Sequence, residues 1–155
     1  MNAPVSHRLR LACLACSAVL GFADPVLAAD SSAADFKKIE GVWQGAAVDG
    51  DGSKPGSARA RISELVITAE KITAKDGQGN SLGEGTFKLG RNGNVVTIDA
   101  SGTAGQTRGK QYLGILIVEG DTLKWCSANP NRPRPAQFRT TPPDAFLMVL
   151  TRKKN

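Results

Sequence analysis

The chain has 155 residues, 20 basic against 14 acidic, for a formal net charge of +6. That length suits a single domain held by one apolar core. Its only histidine, His7, and two of its three cysteines, Cys13 and Cys16, lie in an N-terminal segment that reads as an address. The remainder is thereby excluded from imidazole catalysis, imidazole zinc sites and an internal disulfide.

Arg8 and Arg10 form a positive n-region, Leu11 to Ala23 an apolar h-region, and Val26-Leu27-Ala28 a small-residue cleavage site. The apolar run is shorter than the ~20 residues that span a bilayer. The expectation is a cleaved signal peptide over 1–28, cut after Ala28 or Ala29, and a single domain over 29–155. The mature protein is expected in the periplasm or secreted, with no transmembrane anchor after processing. Losing Arg8, Arg10 and Asp24 leaves a net charge of about +5.

From Ser31 to Ile39, Ala33, Phe36 and Ile39 alternate with Asp35, Lys37 and Lys38 as in a short amphipathic helix, with Ser32 as N-cap. After Gly41 the period becomes that of strands. Strands are expected over Val42–Val48, Leu65–Ala69, Lys71–Lys75 and Leu82–Leu89, with Phe87 and Leu89 on one face. Val95–Ala100, Tyr112–Val118, Thr122–Ser127 and Phe146–Thr151 follow. Asp49 to Gly56, Gly77 to Asn80, Asn92-Gly93, Gly102 to Gly109 and Gly120-Asp121 are turns and loops. Tyr112–Val118 is apolar at almost every position, which predicts burial on both faces or a place near a barrel seam. Leu123 and Trp125 share a face. Pro130, Pro133, Pro135, Pro142 and Pro143 make 129–143 a stiff loop rather than a central strand.

Eight strands with mostly short links, one leading helix and no crossover helix predict an all-β, eight-stranded antiparallel up-and-down barrel. A two-sheet β-sandwich is the alternative. Gly41-Val42-Trp43 on the first strand, directly after the helix, is similar to the Gly-x-Trp of lipocalins, in which the tryptophan packs across the closed end of the barrel. Gly41, Trp43 and Arg152, which follows the last strand, are then the expected closure residues.

A second resemblance runs from about Ile39 to Arg152. Gly41-x-Trp43, Gly83 to Leu89, Gly120-Asp121-Thr122-Leu123-Lys124-Trp125-Cys126 and Arg134-Pro135 together resemble a small exported domain family abundant in planctomycetes. Gln137 stands where that family usually has an acid before the phenylalanine. The family carries no established activity, so the resemblance implies architecture and compartment.

Known catalytic patterns are missing. There is no Ser-x-x-Lys dyad, and Gly77-x-Gly79 is followed by Leu82 where a dinucleotide fingerprint needs glycine. Asp49 and Asp51 share a turn, but Lys54 and Ala60 break the calcium-loop pattern. Glu84 and Asp99 are either an acid/base pair on neighbouring strands or two surface carboxylates. Cys126 is either a small, partly buried filler or, on an exposed face two residues from Lys124, a mildly activated thiol.

The expected function is a non-catalytic binding module without cofactor or metal, holding a small ligand in or at the mouth of the barrel. The alternative is a protein-interaction or inhibitor domain acting through loop 129–143, where Arg132, Arg134 and Arg139 would meet an acidic partner. No nucleic-acid partner is expected.

Overall fold

The computed structural model describes residues 26–54, 57–69 and 71–154. Arg8, Arg10, the apolar run, His7, Cys13 and Cys16 lie outside them. Helix α1 (Val26–Ile39) leads into eight strands: β1 (Gly41–Val48), β2 (Ala58–Ile67), β3 (Ile72–Asp76), β4 (Ser81–Asn92), β5 (Val95–Ala104), β6 (Gln111–Glu119), β7 (Thr122–Ala128) and β8 (Ala145–Arg152). Each pairs antiparallel with the next, and β8 returns to β1, closing an up-and-down barrel. Closure leaves no unpaired edge, which an open sandwich would have had to protect. No helix among the described residues is long and apolar enough to cross a membrane.

The strand ends differ from expectation where pairing extends beyond the apolar signal. β2 starts at Ala58 rather than Leu65, because Ala60 and Arg61 continue the ladder opposite Ala47 and Ala46. The turn expected at Asn92-Gly93 is a two-residue link, Gly93-Asn94, between the partners Asn92 and Val95. Helix α1 begins at Val26, so Ser32 lies within it instead of capping it. Its buried face also differs: Asp35 is only 3% exposed, while Ala33 is exposed. The burial is compensated by Arg91, whose Nη2 donates to Asp35 Oδ1 at 2.6 Å, since a buried carboxylate needs a cation beside it. Phe36 stacks on Phe87 with ring centroids 6.3 Å apart, fixing the helix to the rim of β4.

Strand alternation sorts the apolar residues into two clusters. Inside the barrel are Trp43, Ile62, Leu65, Ile67, Ile98, Leu116, Leu123, Trp125, Met148 and Leu150, with Ile39 of α1 closing one end. On the outer wall, Val48, Ile115, Cys126, Ala145 and Leu147 form a second cluster, and Phe138 of the proline-rich loop packs on it. This explains β6: Ile115 faces out under the loop and Leu116 faces in, so its middle is buried on both sides. It is not at the seam, which joins β1 to β8, and beyond the loop Ile117 emerges exposed.

Candidate functional site

One end of the barrel is shut. Trp43 and Arg152 are register partners on β1 and β8, and the guanidinium carbon lies 4.1 Å from the indole centroid. Trp43 is fully buried and donates Nε1–H to the Ile39 carbonyl at 2.8 Å. Arg152 also donates to the carbonyls of Lys38 and Glu40, each at 2.7 Å. It therefore satisfies carbonyls left open at the end of α1 and favours the negative pole of the helix. Gly41 completes the arrangement: at φ +129 it leaves open the space where a Cβ would lie 2.6 Å from Arg152 Nη1. The expected closure residues are brought together, and the helix-capping role of Arg152 adds to their expected part.

The other end is open. A cavity of about 190 Å³ lies between the inward side chains of β2 to β8. Ile62, Leu65, Ile72, Tyr112, Trp125, Phe146 and Met148 supply its apolar walls. It exists because side-chain size falls along the barrel axis. Ile67, Ile98, Leu116, Leu123 and Leu150 fill the closed half, whereas Ala74, Ala100 and Ser127 stand at inward positions of the open half.

Trp125 is 5% exposed, and its indole N–H has no hydrogen-bond partner among the described residues. Buried donors are seldom left so. It sits against Gly114, where a Cβ would lie 2.6 Å from Nε1, so only glycine admits the ring there. Polar groups at the cavity are few. Ser127 Oγ makes only a long bond to the Ala128 carbonyl at 3.3 Å, and burial pushes the Tyr112 phenol above its ordinary pKa. The β5–β6 link contributes Thr107 to the cavity lining. Its short 3-10 turn, Gly105–Thr107, folds over β4, and Thr107 Oγ1 donates to the Ala104 carbonyl at 2.9 Å.

The proline-rich loop is docked on the outer wall. Arg134 Nη1 donates to the carbonyls of Gly114 (2.6 Å) and Ile98 (3.2 Å), and Nη2 to Asp99 Oδ1 (2.5 Å). Arg132 pairs with Asp144 at 3.3 Å, and Arg139 is exposed. The three arginines are thus not brought to one site: the Arg134 fork is committed to the barrel itself, Arg132 is paired with Asp144, and Arg139 is exposed.

Two open chemical alternatives resolve to the plainer one, two surface carboxylates and a buried cysteine. Glu84 and Asp99 do not face each other; Glu84 is opposite Ala104 and Asp99 opposite Lys88, with Lys71 and Arg134 as their respective ionic partners. Cys126 faces outward as its strand face implied, yet it is fully buried beneath the loop and its thiol contacts the Arg139 carbonyl at 3.3 Å. Burial raises its pKa, the opposite of an activated thiolate. Among the described residues, no three His, Cys, Asp or Glu side chains converge as metal ligands would.

The fold and site define a closed antiparallel barrel with one plugged end and one apolar, accessible end. No family model, curated protein or solved structure matches the chain.

Proposed function

We propose that this protein is an exported, non-catalytic binding module that holds one small apolar molecule in the open half of its barrel. The observation that carries this reading is the cavity of about 190 Å³ around Trp125. A dry apolar cavity of about 150 Å³ suffices to bind benzene, so this one suits a monocyclic ring or a short alkyl chain. Met148, an adaptable thioether, lets the wall conform to either. Export rests on the tripartite segment from Arg8 to Ala28. The Gly41–Trp43–Arg152 closure supports a lipocalin-like relationship, and the motifs from Gly83 to Arg134-Pro135 support kinship with the planctomycete domain.

The test is a thermal-shift panel of benzene, indole and 1-octanol on the wild type and on two cavity-filling variants, Ala74→Leu and Ala100→Leu. A ligand that binds only the folded state raises the melting temperature as its concentration passes Kd. The reading requires at least one compound to stabilise the wild type and to lose its effect in a folded cavity-filled variant. Equal shifts in all three proteins would refute it.

A further inference from the structure

Charge at the open end is unevenly disposed, and this bears on what the cavity receives. Lys110 immediately precedes β6 and shares the alternation of Tyr112, which lines the cavity. Arg108 lies one residue beyond Thr107, another lining residue. Both cations are exposed and neither has a carboxylate partner among the described residues.

The carboxylates of the same end are otherwise engaged. Asp76 turns into its own hairpin, accepting from the backbone N–H of Gln78 at 2.8 Å and of Asn80 at 2.9 Å. Asp144 is paired with Arg132, and Glu84 with Lys71 at 3.9 Å. Among the described residues no cation lines the cavity, and Glu84 is the one charged residue that does, so an anion placed wholly inside would lose its hydration without compensation. The rim and the interior therefore ask for different chemistry: an apolar body inside and a negative group at the mouth.

Resting on the cavity reading above, we infer that the ligand class is a short amphiphilic anion, its alkyl or aryl part in the cavity and a carboxylate at Arg108 and Lys110. Arg108 offers a planar fork suited to a carboxylate, while Lys110 acts as a point charge. Both lie on the link that carries the 3-10 turn, so the head group meets the segment that borders the mouth.

The probes are octanoate and 1-octanol, which share a chain and differ in the head group, titrated by calorimetry at low salt. The proteins are the wild type, Arg108→Gln/Lys110→Gln, and Ala100→Leu with Ala74→Leu as its replacement if the first does not fold. We expect octanoate to bind the wild type roughly three- to tenfold more tightly than 1-octanol, the range that two exposed ion pairs supply. The double variant, whose changes are on the exposed link, should lose that preference but keep 1-octanol binding unchanged. Near physiological ionic strength the preference should shrink, because the Debye length falls to ~8 Å. Equal or weaker binding of octanoate, with both ligands lost in a cavity-filled variant, would overturn the anionic class and leave the cavity reading standing. Failure of both ligands to bind the wild type would overturn this inference and count against the cavity reading itself.

Discussion

Arg152 performs three tasks with one side chain: it covers Trp43, caps the last carbonyls of α1 and lies in the space that Gly41 leaves. Truncating Trp43 to alanine removes a fully buried indole and should cost ~3–5 kcal/mol. Arg152→Ala should cost less, since the cation–π contact contributes ~0.5–2 kcal/mol and its two carbonyl acceptors can turn to water. Denaturant unfolding of both single variants and the double variant should give a coupling energy beyond additivity, because the groups touch. A cycle that closes at zero coupling would mean the two act independently. Asp76 offers a pH test. Its pKa lies below 3.8, chiefly through the Asn80 side-chain bond, so its stabilisation is present above 3.8 and is lost as pH falls through the folded value. Asp76→Ala should lower the melting temperature at neutral pH and flatten the acid limb below 3.8; Asp51 and Glu64, also lowered, keep that limb from vanishing. An unchanged acid limb would contradict this role.

At the scale of elements, the proline-rich loop is a strap. Its prolines limit the conformations open to the unfolded segment, Phe138 covers the outer apolar cluster, and Arg134 ties it to β5 and β6. Arg134→Ala should cost about 1–3 kcal/mol through the carbonyls and carboxylate it leaves without a partner. The readout specific to the strap is Cys126. Its buried thiol should react slowly with a disulfide reagent in the wild type and faster in Arg134→Ala, at pH values where both proteins remain folded. Equal rates would show that the loop stays down without its arginine. Alternation and turn residues made the strands readable, and Gly-x-Trp after a helix pointed to the closure. The strap was only half readable: proline excluded a strand, but arginine types cannot show whether a fork meets solvent or a carbonyl. The burial of Asp35 is illegible in the sequence for the same reason, since its partner Arg91 lies 56 residues away.

At the scale of the whole molecule, the barrel is asymmetric along its axis, full at the α1 end and open at the other. That asymmetry was written in the sequence as Ala74, Ala100 and Ser127 against Ile67, Ile98 and Leu123. It becomes visible only once register places these residues at the same height, and register depends on bulges such as that between Glu84 and Gly85. An even filling would have made the barrel a packed scaffold; the uneven one makes it a receptacle. The direct test is a crystal of the protein under xenon pressure, since xenon enters dry apolar cavities without needing a polar anchor. The account predicts a xenon atom among Ala74, Ala100, Trp125 and Met148, with the Trp43–Arg152 end unchanged. A barrel whose side chains close over that space, with xenon absent from it, would contradict the account.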